Sequence, residues 1–178
     1  MRFLKKTLRI FAWTLLFLYL AVAMLPKEAL FYQAEKMLEP MKIFINETGV
    51  SDHLLTLNLE GATLIYQDVE AATIDEISLT TLLFYNSLSV SPFRVKEELA
   101  GFVPPKIETL RMTQTILMPH RISIEASGDF GSAQGYVDLL ARKVRLNITF
   151  SSLVNRNYQA LLKMVRKDSE GYYYEQAF

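Results

Sequence analysis

Hydrophobic and polar positions fall into three regimes along the chain. Residues 10–25 form an uninterrupted apolar run. Residues 27–38 carry apolar side chains at helical spacing, and from His53 onward the period drops to two. In this last regime Leu55, Leu57 and Leu59 alternate with Thr56, Asn58 and Glu60, which predicts a strand with one buried face. After an interruption at Gly61 the pattern resumes over 64–69. In the next segment the apolar weight lies on the set Asp75, Ile77, Leu79 and Thr81, opposite Ile74, Glu76, Ser78 and Thr80. Leu88 and Val90 begin a short strand that ends near Pro92. Further strands are expected at 107–112, 121–126, 135–139 and 144–150, the last being the most regular, and over the closing stretch 172–178.

Two flanking helices frame this region. Leu30, Ala34, Met37, Leu38 and Met41 recur on one side of a short amphipathic helix, with Lys27, Glu28, Glu35 and Lys36 off that face and Pro40 closing it. A second helix is expected over 155–166, with Tyr158, Leu161, Leu162 and Val165 together. Residues 93–105 are irregular, with room for one helical turn at 95–100 and a break at Val103-Pro104-Pro105. Regularly spaced short strands without crossover segments favour antiparallel pairing of neighbours. The expected fold is therefore mainly β (α+β): an N-terminal transmembrane helix, then a single antiparallel β-rich domain with one or two flanking helices. The boundary falls between 1–26 and 27–178.

The apolar run reads as a membrane anchor, with Ile10, Trp13, Leu16, Leu20 and Leu25 as representative lipid-facing residues. Its length of roughly 24 Å is a little short of a bilayer core of ~30 Å, a gap that local thinning or snorkelling closes. Lys5, Lys6 and Arg9 precede the run, whereas Lys27 and Glu28 cancel after it, so the positive-inside rule places everything from about Lys27 outside the cytoplasm. Ala21-Val22-Ala23 also fits a signal-peptide cleavage pattern, and whether the segment is cleaved after Ala23 stays open; either outcome delivers the domain to the same side. Continuation of the apolar run through to Leu25 favours the uncleaved anchor.

Composition narrows the function. The chain has 19 basic and 19 acidic residues, but four of the basic ones lie in the N-terminal segment, so the domain is weakly acidic and a poor match for nucleic acid. With no cysteine, disulfides and thiolate metal sites are excluded. His53 and His120 have no partner histidine at ligand spacing. The glycines at 128, 131 and 135 lack a following Lys-Ser/Thr and read as a hairpin or bulge rather than a phosphate loop. The sequons at Asn46 and Asn147 decide nothing, and the scattered acids Asp68, Glu70, Asp75 and Glu76 read as a solvated strand face. No catalytic, cofactor or metal site is expected, and the chain is read as a non-enzyme. Tyr172, Tyr173, Tyr174 and Phe178 on the final strand are candidate interaction residues whose default role is structural.

Four stretches carry a family resemblance: residues 25–30 at the membrane exit, 61–66 on an early strand, 128–131 with 135–139, and 170–175 near the close. Together they resemble the periplasmic N component of the general (type II) secretion pathway, with a broader similarity to AsmA-like envelope proteins. The resemblance implies a bacterial inner-membrane anchor, a periplasmic β domain and a structural or interaction role among secretion-system envelope proteins. The alternative expectation is a lipid-transport protein that takes acyl chains into a β-sheet groove. A lipid binder needs a continuous, accessible apolar face, whereas a scaffold buries that face and presents an edge strand or a polar patch.

Overall fold

Alternating sequences of this kind pair into a sheet whose two faces differ, and the computed structural model, which describes residues 2–24, 26–97, 104–158, 162–163, 165–169 and 171–178, contains one such sheet. Two helices lead into it, α1 (Arg2–Ala23) and α2 (Lys27–Leu38), followed by a 3-10 turn at Glu39–Met41 that contains Pro40. The strands are β1 (Ile43–Asn46), β2 (Gly49–Asp52), β3 (Thr56–Tyr66), β4 (Val69–Thr81), β5 (Tyr85–Val95), β6 (Lys106–Thr115), β7 (Met118–Gly128), β8 (Gly131–Asp138), β9 (Lys143–Phe150), β10 (Arg166–Asp168) and β11 (Gly171–Ala177). All pairs are antiparallel, in the order β1-β3-β4-β5-β6-β7-β8-β9-β11-β10, with β2 also pairing β3. The expectation of a mainly β, antiparallel, neighbour-paired domain holds.

Among the described residues no single helix is long and apolar enough to cross a membrane, while α1 and α2 taken together across the break between them do pass that test. The reason lies in the sequence: Lys5, Lys6 and Arg9 occupy the first turns of α1, which shortens its apolar part.

Several boundaries differ from the periodic reading. The run 64–69 is not one strand, because Gln67 and Asp68 both take positive φ (51° and 67°) and form the tight turn between β3 and β4. This two-residue left-handed geometry matches the twist of the flanking strands. Leu139 belongs to a turn rather than to β8. Of the helix expected over 155–166, the described residues show α3 (Ser152–Asn157), started by Ser151, whose hydroxyl accepts from Val154 N at 3.4 Å, and helical geometry again at 162–163. Arg166 lies in β10, and residues 159–161 and 164 are outside the described set. Val95, expected to open a helical turn, ends β5, and the rest of that turn from 98 onward is likewise outside it. Strands β1, β2 and β10 were not expected, being too short to display a period.

A larger correction concerns the middle of the sheet. Ile74 and Ile77 belong to opposite faces by strict alternation, yet both are buried in one cluster with Leu57, Leu59, Ala62 and Val90. The register explains this. Glu60 pairs with Glu76 and Ala62 with Ile74, and Ile74 pairs with Phe93 while Glu76 pairs with Ser91. The ladder is thus interrupted at Gly61, Asp75 and Pro92, side by side on three strands, and Gly61 has a φ of +61°. Each strand gains a residue's worth of phase at this seam, so apolar side chains three apart share a face. Pro92 does not end β5 because it lies where no ladder bond is required of it.

One consequence is a pair of unbroken apolar rows. From β3 to β11 the register runs Leu57, Leu79, Leu88, Met112, Ile124, Gly135, Leu146, Tyr174, and beside it Leu59, Ile77, Val90, Leu110, Ala126, Ala133, Ile148, Tyr172. The intervening row on the reverse face is polar: Asn58, Ser78, Ser89, Arg111, Glu125, Gln134 and Asn147. There Ser78 donates to Asn58 Oδ1 at 2.8 Å.

Candidate apolar binding groove

Helix α2 roofs the apolar face at its β1–β6 end. Lys27 Nζ lies 3.1 Å from Asp52 Oδ1 at the end of β2, Tyr32 donates to Glu47 Oε1 at 3.1 Å, and Glu35 Oε1 accepts from Ile45 N at 3.4 Å. Since the chain then enters β1 with Ile43 opposite Tyr66, α2 runs from the Asp52 end of the sheet to the Tyr66 end. Lys27 and Glu35, expected on the outer face of this helix, both turn inward. Lys27 is 2% exposed, held there by its ion pair, and is the one buried polar or charged residue among the described residues. Phe31 packs on the core cluster, a contact the helical spacing did not single out. The side chains of Leu30, Ala34, Met37, Leu38 and Met41, which were expected to form the apolar face, lie outside the described set.

Between this roof and the sheet is an apolar groove with a volume of about 420 Å³. Leu57, Leu59, Ile77, Leu79, Leu88 and Val90 line it below the seam, Leu64, Ile74 and Phe93 above it, and Phe31 and Glu35 from the helix. Among the described residues of that lining Glu35 is the sole charged group, and its carboxylate is engaged by the Ile45 amide. The volume falls within the roughly 300–1,000 Å³ range of small-molecule sites, and the apolar lining fits a hydrocarbon better than a polar metabolite.

No family model matches the chain, and neither a curated protein nor a solved structure matches it. The resemblance to the secretion N component and to AsmA-like proteins therefore rests on the four sequence stretches alone.

Other sequence candidates are placed as follows. Ile10, Trp13, Leu16 and Leu20 lie exposed along α1, and Leu25 is outside the described set. Tyr172 and Tyr174 close the two apolar rows, Tyr172 meeting Phe150 edge-on at 5.2 Å, whereas Tyr173 lies beneath the Arg145 guanidinium at 5.4 Å on the reverse side. Phe178 is exposed. Strand β10 pairs only with Gly171, Tyr172 and Tyr173, so the outer edge of β11 from Tyr174 to Ala177 is open among the described residues. Gly128 and Gly131 flank the β7–β8 turn, as the hairpin reading expected, and Gly135 lies within β8. Two of the four scattered acids form surface ion pairs, Asp75 with Arg94 at 2.8 Å and Glu70 with Lys96 at 3.1 Å. No group of His, Asp or Glu suited to a metal occurs among the described residues.

The β8–β9 turn is shaped by one carboxylate. Asp138 Oδ1 accepts from the amides of Ala141 and Leu140 at 2.9 and 3.0 Å. These bonds, the Ala141 amide foremost, hold its carboxyl below the usual aspartate range, with His120 and Arg121 adding to the effect against partial desolvation. A depressed folded pKa means stability that is fully present above the unfolded aspartate range and is lost as pH falls through the folded value. Denaturant unfolding between pH 7 and about pH 3 should therefore show an acid limb that is shallower in Asp138→Asn, and an unchanged limb would remove this role.

Proposed function

We propose that the chain is a single-pass membrane-anchored protein whose β domain, on the non-cytoplasmic side, receives acyl chains of membrane lipids in the groove under α2. The observation that carries this reading is the groove itself, lined among the described residues by apolar side chains and one engaged carboxylate, and continuous with apolar rows that cross the sheet to β11. Of the two expectations raised by the sequence, the lipid-handling one is supported by apolar space between α2 and the sheet, and the scaffold one by the burial of Leu57, Leu59, Ile74 and Ile77 on its floor. The orientation follows from the cations before the apolar run, and placement in the bacterial inner membrane follows from the family resemblance.

A second reading, an interaction component of a secretion assembly, is favoured by the open outer edge of β11 from Tyr174 to Ala177, to which a partner strand can add. Native mass spectrometry of the purified full chain decides between them. Lipid adducts are expected on the wild type and should be lost in Val90→Trp, which fills the groove from the middle of β5. A wild-type protein that is lipid-free in every preparation would leave the β11 edge as the better account.

A further inference from the structure

Hairpin tips are ordinarily polar, because turn residues are selected for backbone geometry and stand in water. One end of this sheet departs from that rule. The β2–β3 turn carries Leu54, the β4–β5 turn Phe84, the β6–β7 turn Ile116 and Leu117, and the β8–β9 turn Leu139 and Leu140. Their exposures include 61% at Leu54, 53% at Phe84, 88% at Leu117 and 79% at Leu140.

In an antiparallel meander alternate turns fall at opposite ends, so these four share one rim. The backbone links neighbouring tips directly: Thr81 N donates to Leu55 O at 2.9 Å, Ile116 N to Phe84 O at 3.1 Å and Leu139 N to His120 O at 2.8 Å. Among the described residues the opposite rim turns through Gln67 and Asp68, flanked by Tyr66 and Val69 at 46% and 52% exposure, and through Asp129 and a half-buried Phe130, so its turns carry one apolar tip residue where the first rim carries at least six. Exposed apolar residues scattered singly are normal, but a band of them along one rim marks a contact surface.

Charge and chain connection identify what it contacts. The acids in the four apolar turns are Asp52 and Asp138, the first paired with Lys27 and the second capped by two backbone amides. Arg142, at φ 49°, adds an exposed cation next to Leu140. Aliphatic and aromatic tips beside a long basic side chain suit the headgroup layer of a bilayer, where such a cation snorkels. The ion pair also fixes where the anchor leaves the domain. Lys27 follows closely on the last residue of α1, Ala23, and touches Asp52, which opens the β2–β3 turn on this same rim.

We infer that the apolar rim is seated in the interfacial layer of the bilayer that holds α1, so that the sheet stands on the membrane on its hairpin tips; this rests on the membrane-anchored reading above. Helix α2 then rises from the membrane surface along the groove it roofs.

The absence of cysteine permits a direct test on the full chain. Single variants Leu117→Cys and Leu140→Cys on the apolar rim, Gln67→Cys and Asp129→Cys on the far rim, and Leu16→Cys in α1 are labelled with an environment-sensitive fluorophore. Each is reconstituted into vesicles of phosphatidylcholine and phosphatidylglycerol with or without spin-labelled lipid. Tips inserted about 5–10 Å into the boundary layer should give blue-shifted emission and about twofold quenching at 117 and 140, as at 16. The far rim, on the order of 30 Å away along β3, should stay unquenched.

Quenching at 16 but not at 117 and 140 overturns the inference and leaves the anchor intact. An unquenched label at 16 overturns both. A blue shift at 117 without lipid quenching means that another copy of the chain covers the rim, and equal quenching at both rims means that the sheet lies flat; either result overturns the upright seating.

Discussion

Gly131→Ala is expected to destabilise the domain by about 3 kcal/mol or more, combining the strain of positive φ with an overlap that the backbone must relieve. Gly131 opens β8 at φ +115°, where an added Cβ would run into the Thr149 carbonyl oxygen and come within 2.8 Å of Ser151 N. Both contacts are backbone, so no side chain can swing away. A loss of this size should lower the midpoint of thermal unfolding by about 10 °C. Gly171→Ala supplies the internal comparison, since Gly171 has φ +133° but nothing within 4 Å of the added carbon. It should cost only the conformational strain, about 1 kcal/mol. If the two variants unfolded at the same temperature, close packing of β8 on β9 would not be the source of the constraint.

Removing the partner of a buried cation should have the next largest effect. Asp52→Ala leaves the Lys27 ammonium without its counter-charge in a site that is 2% exposed. Breaking a fully buried pair costs about 3–5 kcal/mol, and because the Asp52 side chain is itself one-third exposed we expect about 2 kcal/mol here. Lys27→Met keeps the packing of the side-chain stem and removes the need for a partner, so it should be neutral to within about 1 kcal/mol. The double variant should recover most of the loss. Hydrogen exchange provides the local readout: amides of α2 should exchange faster in Asp52→Ala than in Lys27→Met. Equal exchange in the two would mean that the uncompensated Lys27 charge is not what loosens the helix.

The sequence disclosed the fold class and most strand positions because period-two alternation is imposed by a half-buried sheet. Residues 144–150 show this most plainly, with Val144, Leu146, Ile148 and Phe150 set against Arg145, Asn147 and Thr149. It misassigned Ile74 because a seam shared by neighbouring strands shifts the phase, and a strand read alone contains no sign that its neighbour shifts with it. Gly61 and Pro92 were the traces of that seam, read as an interruption and a stop. The groove was legible only as an excess of apolar alternation. Which residues line it depends on α2 crossing the sheet, and the inward turn of Lys27 depends on Asp52, distant in sequence and supplied by a strand too short to be recognised. The apolar turns were visible in the sequence as well, but their alignment on one rim required the pairing order.

The meander has a bearing on how the molecule assembles. From β3 to β8 every strand pairs with the strands immediately before and after it in the chain. Contacts of low sequence separation form quickly, since little loop entropy is lost in closing them. A polypeptide emerging from its N-terminus can therefore knit this sheet hairpin by hairpin, each new strand hiding the raw edge of the last. Strands β1 and β10 break the pattern, since β1 is passed over by β2 and waits for β3 while β10 is passed over by β9 and waits for β11, so the roof that leads into β1 is secured only once the floor has begun to form.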